Sequence, residues 1–350
     1  MRLKIIEQTM YKINHLAKEI TLSVALVVSS FAVLAQRQWT SDGNGYYNFS
    51  NKEITVTNVL RPGESRPFLN KADLVPTGTN TPLDVQSFQV SPTNGSLLLF
   101  TNTKRVWREN TRGDYWLFNK ATRKLTQLGE GLPTSSLMFA KFSPNGQQVA
   151  YVCKHNLYVE DLSTHQITLL TSDGGNKIIN GTFDWAYEEE FGTKDGFRWS
   201  PDGTKIAFWK QDVSSTRNFL MINNTDSLYS FTVPVEYPKV GLPPSATSVW
   251  IVDVGSKNTI KVKLDGDESQ HYIPRMEWLL DGKGVILQRL NRKQNESLIW
   301  IANAANGMGS IIHEERDVAW IGITSRWNNN DPSGWDWVDN GKEFLWVSEK

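Results

Sequence analysis

The sequence contains little that would favour a charged partner or a cross-linked fold. Its 350 residues include one cysteine, Cys153, which cannot form an internal disulfide bond. Lys plus Arg and Asp plus Glu number 37 each, so the formal net charge is zero. Because no net charge supplies a long-range field, we expect neither nucleic acid nor an anionic membrane surface as a partner. Cys153 lies in a strand-like run, where we expect a small buried apolar residue.

Long apolar runs are also scarce, and the one present lies near the N-terminus. It extends from Ile20 to Leu34 and is preceded by four basic residues, Arg2, Lys4, Lys12 and Lys18. Small residues at Val33 and Ala35 suit cleavage after Ala35. The run has about 15 residues, whereas a membrane span needs roughly 20. We therefore expect residues 1–35 to be a cleaved signal peptide and the remainder to be periplasmic or secreted. An uncleaved signal anchor with the remainder outside is the alternative.

Aromatic and turn-forming residues are abundant. The sequence has 14 Trp, 15 Phe and 10 Tyr beside 25 Gly and 14 Pro. This mixture suits many short strands. Helical patterns between the strand patterns are almost absent, which argues against a parallel α/β fold. The composition therefore indicates a mainly β protein.

A repeated hairpin pattern organises the chain. In each repeat one strand ends, an Asn/Asp-Gly pair turns the chain, and an apolar run begins the next strand. The turn glycines are Gly95, Gly146, Gly203, Gly282 and Gly341, spaced 51 to 79 residues apart. Asn-Gly and Asp-Gly supply the positive φ angles that tight hairpins need. Four of the five hairpins are followed by a second one, as Tyr115–Thr122 is followed by Leu125–Leu128. Four strands per repeat predict an all-β fold, a β-propeller with about five blades present.

One segment interrupts the strand pattern with an acidic stretch. Phe183 to Gly192 reads as a short helix, with Asp184 as its N-cap and Gly192 as its terminating glycine. Glu188, Glu189 and Glu190 are consecutive within it. One interpretation is a solvated acidic helix, and the other is a site for a cation such as a protonated peptide amine, whose three N–H donors carboxylates can share. No His lies nearby and hard-ion loops space their ligands, so we predict neither a metal ion nor a cofactor.

The acidic helix resembles a known family signature. Residues 184–191 are similar to the Asp-Trp-Val-Tyr-Glu-Glu-Glu signature of the dipeptidyl peptidase IV branch of the prolyl oligopeptidase family of serine peptidases, with Ala186 replacing the usual Val. The resemblance implies that Glu189 and Glu190 bind the free N-terminus of a peptide. Val106–Glu109 is similar to the family's Gln-Trp-Arg element, which implies that Arg108 reaches a substrate backbone carbonyl; a surface arginine on a blade loop is the alternative. Further similar elements follow in order: Arg198–Gly203, Tyr237–Gly241 and Gln294-Asn295.

The family's catalytic elements are not found in the sequence. Members have an eight-bladed propeller and an α/β-hydrolase domain with a Gly-x-Ser-x-Gly motif followed by Asp and His. No such pentapeptide occurs here, and the most similar segment, Gly63 to Pro67, lacks the second glycine. We expect His155, His165, His271 and His313 to be structural or surface residues. The sequence thus predicts that residues 36–350 form a truncated N-terminal propeller with the acidic helix inserted at about 183–192. The chain itself is then predicted to be inactive, without catalytic residues.

The resemblance implies a substrate-gripping role in a secreted serine exopeptidase. Such an enzyme binds peptides by their free N-terminus and releases Xaa-Pro or Xaa-Ala dipeptides. The expected partners are these peptides and the chain's own α/β-hydrolase domain in the full-length protein, and a homodimer is also considered. One alternative is a prolyl tripeptidyl peptidase of the same family. A second is a non-catalytic propeller that binds peptides or proteins.

Overall fold

A computed structural model describes residues 38–50, 52–323 and 335–346. The predicted signal peptide, residues 1–35, lies outside the described residues. The chain divides into two compact units, Met1–Val75 and Pro76–Lys350. Among the residues that the structure describes, no helix combines the length and the apolar character needed to cross a membrane.

The first unit contains a four-stranded antiparallel sheet that the sequence analysis missed. Its strands pair in chain order: β1 (Gln38–Trp39), β2 (Gly45–Ser50), β3 (Glu53–Asn58) and β4 (Ser65–Leu69). Ile54 and Leu69 are fully buried in it. The β1–β2 turn contains Asp42-Gly43, with Gly43 at φ 69°. That Asp-Gly pair is the same signal that marks the other hairpins, so the sheet could have been found from the sequence.

The second unit is built from four successive four-stranded antiparallel blades. A short pairing between the third strand of the first blade and the first strand of the second joins these two blades into one eight-stranded sheet. The first blade comprises β5 (Val85–Val90), β6 (Leu97–Val106), β7 (Glu109–Asn119) and β8 (Lys124–Gln127). The second comprises β9 (Leu137–Phe142), β10 (Gln148–Cys153), β11 (Asn156–Asp161) and β12 (Ile167–Leu169). The third comprises the split first strand β13 (Ile178–Asn180) and β14 (Phe197–Trp199), then β15 (Lys205–Asp212), β18 (Ala246–Asp253) and β19 (Thr259–Lys261). The fourth comprises β20 (His271–Trp278), β21 (Gly284–Asn291), β22 (Glu296–Asn303) and β23 (Gly309–Arg316).

Two further strand pairs accompany the blades. A hairpin of β16 (Asn218–Asn223) and β17 (Phe231–Glu236) is inserted between β15 and β18 of the third blade. The strands β24 (Asp336–Val338) and β25 (Glu343–Leu345) pair around Gly341, the fifth predicted turn. All five predicted turn glycines therefore connect two antiparallel strands, and each has a positive φ between 68° and 83°.

The turns have a common hydrogen-bonding pattern. In the second blade the Ser143 N–H donates to the Gln148 carbonyl at 2.8 Å, and the Gly146 N–H donates to the Ser143 carbonyl at 2.8 Å. The turns also pack on one another from blade to blade. A Cβ on Gly203 would lie 3.4 Å from Cδ of Pro144 in the preceding blade's turn. The repeated Pro and Gly therefore serve the packing of neighbouring blades as well as the turn itself.

Apolar side chains between successive blades form the core. Trp209, Met276, Leu287 and Trp300 share a buried cluster contributed by the third and fourth blades. Cys153 is fully buried in a cluster of the first and second blades, which confirms the prediction of a small buried apolar residue. Each blade covers the apolar face of the next, and this burial is the main stabilising contribution to such an array.

The acidic segment is an excursion from the first strand of the third blade. Asn180 pairs with Lys210, and Phe197 pairs with Phe208, so residues 181–196 together oppose the single residue Trp209. The Gly181 N–H donates to the Trp209 carbonyl at 2.9 Å, and the Trp209 N–H donates to the Gly196 carbonyl at 3.0 Å. The strand thus continues on either side of the excursion, and the two glycines close its base.

Candidate functional site

The excursion carries helix α1, Trp185–Phe191. Asp184 caps its N-terminus, because the Asp184 side chain accepts a hydrogen bond from the Tyr187 N–H at 3.0 Å. Gly192 ends it at φ 66°, and the Gly192 N–H donates to the Tyr187 carbonyl. Both capping residues are the predicted ones.

Buried contacts fix the helix on the third and fourth blades. Tyr187 is buried, and its hydroxyl accepts a hydrogen bond from the Ile273 N–H at 3.0 Å. The Tyr187 ring lies 5.5 Å from the ring of Phe183 and 5.1 Å from that of Phe191. The Asp184 N–H donates to the buried Gln211 side chain at 2.7 Å. These contacts orient the three glutamates relative to the blades.

Charged groups from three blades hold the C-terminal end of the excursion. The Lys141 ammonium contacts both carboxylate oxygens of Asp195 at 2.5 Å. Arg198 lies 3.4 Å from Asp195 and 3.6 Å from Glu277. Burial lowers the pKa of Lys141 to about 8, against the opposing effect of Asp195. Lys141, Arg198 and Glu277 lie on β9, β14 and β20, so the first strands of three successive blades meet at this network.

Glu189 and Arg108 form an ion pair between elements that are far apart in sequence. Nε of Arg108 donates to Oε2 of Glu189 at 2.7 Å, and Nη2 of Arg108 donates to Oε1. Arg108 comes from the β6–β7 hairpin of the first blade, and its side chain is 74% exposed, against 23% for Glu189. The hydrogen bonds from Arg108 lower the pKa of Glu189, and Glu189 raises the pKa of Arg108. Glu189 is therefore ionised near neutral pH.

Glu190 lies on the wall of a neighbouring cavity of about 360 Å³. The cavity is lined by several aromatic side chains, among them Trp185, Tyr237 and Tyr272, and by the basic residues Lys239 and Arg292. The Arg292 guanidinium donates to the Tyr272 hydroxyl at 2.6 Å. Burial, with a smaller contribution from the Glu190 charge, raises the pKa of Tyr272. Glu190 thus provides negative charge at the edge of an aromatic cavity.

Glu188 has a different environment from the two glutamates that follow it. It is half-buried, and burial raises its pKa to about 7. The charges of Glu109 and Glu189 raise the pKa further, whereas the Lys194 ammonium lowers it. At neutral pH a substantial fraction of Glu188 is therefore uncharged.

The structure brings the predicted site residues into one region. Arg108 contacts Glu189 directly, and Glu190 is the next residue on the same helix. An ion pair between Glu109 and Lys194 lies alongside, and the sequence analysis missed it. No local pattern could have indicated that pair, because 85 residues separate its members. The region therefore holds carboxylates and cations side by side, and the carboxylates of Glu189 and Glu190 can still accept hydrogen bonds from a bound cation.

Comparison with known proteins identifies the family of the chain. The family model described as "Dipeptidyl peptidase IV (DPP IV) N-terminal region" matches residues 91–350. Dipeptidyl aminopeptidase B of Saccharomyces cerevisiae is 26% identical over 302 residues, which cover 82% of this chain and 36% of the yeast protein.

A solved structure shows the same fold. The crystal structure of Porphyromonas gingivalis dipeptidyl peptidase 4 matches with a TM-score of 0.75 and 25% sequence identity, covering 81% of this chain and 40% of that chain. The chain therefore spans well under half the length of these two proteins. The predicted all-β propeller is confirmed, and the chain belongs to the dipeptidyl peptidase IV N-terminal region family of the prolyl oligopeptidase class.

Proposed function

We propose that this chain is the substrate-gripping propeller of a dipeptidyl peptidase IV-like serine exopeptidase. In this proposal Glu189 and Glu190 bind the protonated N-terminal amine of a peptide, and Arg108 binds a backbone carbonyl of the same peptide. The observation that supports it most is the Arg108–Glu189 ion pair, which joins the β6–β7 hairpin to the acidic helix. Two elements of the family signature, distant in sequence, thus form one surface.

The chemistry of the amine matches this surface. An ammonium group has three N–H donors and no acceptor, and a carboxylate has about four lone-pair positions. Arg108 uses one position on each oxygen of Glu189, which leaves further positions for an ammonium. The remaining N–H groups of Arg108 can donate to a carbonyl one peptide unit away. Charge-assisted hydrogen bonds of this kind fix both the position and the orientation of the peptide.

The whole protein's activity follows as a further proposal. Holding the N-terminus at a fixed place sets how far the scissile bond lies from it, so the propeller determines the length of the released product. We propose that a Ser-Asp-His triad on an α/β-hydrolase domain of the full-length protein hydrolyses the peptide bond after the second residue and so releases Xaa-Pro or Xaa-Ala dipeptides from the N-terminus of longer peptides. Without that domain we expect this chain to bind peptides and not to cleave them. We place the enzyme in the periplasm or outside the cell, with a membrane-anchored form as the alternative.

Substitution of the glutamates tests the amine site. Glu189→Gln and Glu190→Gln keep the side-chain shape and remove the charge. We expect each to weaken binding of an Ala-Pro peptide with a free N-terminus by roughly tenfold to a hundredfold, the range for losing a charged hydrogen bond. Titration calorimetry on the 350-residue chain measures this. Glu314→Gln, which alters an exposed glutamate paired with Arg316 on β23, is the matched control. Equal affinities for all four proteins would contradict the site.

Two alternatives predict different results. A tripeptidyl peptidase would bind the amine through the same residues, but its full-length form would release tripeptides, which mass spectrometry of the products distinguishes. A non-catalytic propeller would use the acidic helix as a general surface for partners. In that case acetylation of the peptide amine would leave the affinity unchanged.

A homodimer is a further proposal, and the β16–β17 hairpin supports it. Four consecutive apolar residues of β16, Phe219 to Ile222, are exposed in the chain, as are Leu228 and Tyr229 in the turn. Contiguous exposed apolar surface is typical of a protein–protein interface. We propose that this hairpin contacts a second copy of the chain.

A further inference from the structure

We propose that Glu109 and Lys194 form an ionic clasp that holds the β6–β7 hairpin against the acidic excursion and so positions Arg108 on Glu189. This inference rests on the proposed function, because the clasp matters to activity only if Arg108 and Glu189 bind the peptide. In this proposal neither Glu109 nor Lys194 contacts the peptide. Both are positioning residues.

The hairpin needs such a tie because its outer part packs little against the rest of the blade. Arg112 of β7 pairs with both Lys104 of β6 and Met138 of β9, and beyond it β6 and β7 continue as a two-stranded ribbon with Val106 paired to Glu109. The turn passes through Trp107 at φ 52°. Most side chains from Lys104 to Asn110 are exposed. An isolated two-stranded hairpin is at best marginally stable, so strand pairing alone does not hold this part in place.

The Arg108–Glu189 pair alone is a weak tie. The Arg108 side chain is 74% exposed, and exposed ion pairs contribute little to holding two elements together. An ammonium that shares the oxygens of Glu189 with Arg108 would also weaken the hydrogen bonds from Arg108 at the moment when the hairpin must stay in place. A second tie that the peptide does not contact avoids this conflict.

Lys194 is well placed to supply the second tie. Its ammonium binds the Glu109 carboxylate, and 13% of the Lys194 side chain is exposed, against 54% for Glu109. The residues on either side of it are fixed: the Thr193 hydroxyl donates to the Tyr187 carbonyl at 3.0 Å, and Asp195 pairs with Lys141. Lys194 therefore projects from an ordered point on the third blade. A partly buried pair of this kind is screened less by salt than one at the open surface.

The two ion pairs act on adjacent residues of the hairpin. Arg108 of the hairpin pairs with Glu189 of the excursion, and Glu109 of the hairpin pairs with Lys194 of the excursion. The order of the charges on the hairpin is therefore opposite to the order on the excursion. This alternation fixes the direction of the hairpin tip. A shift of the tip by one residue would bring either Glu109 towards Glu189 or Arg108 towards Lys194, depending on its direction, and like-charge repulsion disfavours both.

Two measurements on the 350-residue chain test the clasp. The first is the rate of trypsin cleavage after Arg105 in the hairpin, followed by mass spectrometry. We expect Lys194→Met and Glu109→Gln each to raise this rate by at least about threefold, because the hairpin opens more often. The double variant should be no faster than either single variant, since both remove the same interaction. Lys194→Arg should remain near the wild-type rate, and Lys283→Met, which breaks an exposed pair with Asp281, is the control.

The second measurement is the affinity for an Ala-Pro peptide with a free or an acetylated N-terminus. The two single variants should lose about threefold to tenfold in affinity for the free peptide, with Lys194→Arg close to wild type. Unchanged cleavage in both single variants would overturn the clasp. Faster cleavage with unchanged affinity for the free peptide would overturn its positioning role. If wild-type protein did not distinguish the two peptides, the proposed function would fail, while the cleavage rates would still decide whether the clasp exists.

Discussion

The three consecutive glutamates of helix α1 differ in their surroundings and therefore in their ionisation and their contacts. Glu189 is kept ionised by Arg108, Glu190 faces an aromatic cavity, and Glu188 is half-buried with a raised pKa. The sequence indicated an acidic helix and its two capping residues. It could not distinguish Glu188 from its neighbours, because the groups that do so include Arg108 and Glu109 on a distant hairpin.

The raised pKa of Glu188 predicts a pH dependence of stability. Its ordinary pKa is 4.5 and its folded-state pKa is about 7, so the folded state binds the proton more tightly. The corresponding stabilisation is fully present below pH 4.5 and is lost as the pH rises through 7. The Glu188→Gln variant has no ionisable group at this position, so its free energy of unfolding does not change with pH through this effect. The wild-type free energy of unfolding should therefore decline between pH 5 and pH 8 relative to that of the variant.

Denaturant titrations of both proteins across this pH range check the prediction. Lys194, Glu109 and Glu189 face Glu188 and are retained in the variant, so their titration is common to both curves. Glu314→Gln again serves as the control. Parallel curves for wild type and Glu188→Gln would show that Glu188 titrates normally.

At the scale of elements, the excursion from the third blade depends on its base. The break in the strand pattern and the helix within it were predictable from the sequence. The hydrogen bonds of Gly181 and Gly196 to the backbone of Trp209 could not be predicted, because they depend on which residue of β15 lies opposite the break. A Cβ on Gly196 would lie 2.7 Å from the carbonyl carbon of Gly181. A side chain at Gly196 is therefore incompatible with the closed base.

Gly196→Ala is expected to destabilise the folded chain. The added methyl group meets backbone atoms, which cannot rotate away as a side chain could, so we expect a loss of about 1–3 kcal/mol in the free energy of unfolding. Gly175→Ala is the matched control, because a Cβ there has no atom within 4 Å. Both substitutions restrict the unfolded chain equally. If urea denaturation gave equal stabilities for the two variants, the proposed role of Gly196 in closing the excursion would be refuted.

The β16–β17 hairpin gives a second prediction for an element. If its exposed apolar strand contacts a second copy, a carboxylate placed on it should prevent association, because the interface would have to bury a charge. We expect Leu220→Asp with Ile222→Asp to shift sedimentation-velocity profiles of the chain towards the monomer. Leu60→Asp, at another exposed leucine, should leave them unchanged. A wild-type chain that is monomeric at all concentrations would rule out this interface.

At the scale of the whole molecule, the repeat in the sequence predicted the architecture. Asn/Asp-Gly turns at blade-length intervals indicated four-stranded blades because hairpin geometry is local and requires positive φ at those glycines. The sheet of Gln38–Leu69 was missed even though Asp42-Gly43 carries the same signal. The convergence of Lys141, Asp195 and Glu277 could not be predicted, since it depends on how successive blades pack.

We propose that the surface formed by Arg108, Glu189 and Glu190 recognises a protonated peptide amine. The most direct test is the ratio of affinities of the chain for one Ala-Pro peptide with a free and with an acetylated N-terminus, measured by calorimetry at pH 7. Acetylation removes the charge and leaves the backbone intact, so we expect the free peptide to bind at least about tenfold more tightly. Equal affinity for the two peptides would contradict the claim.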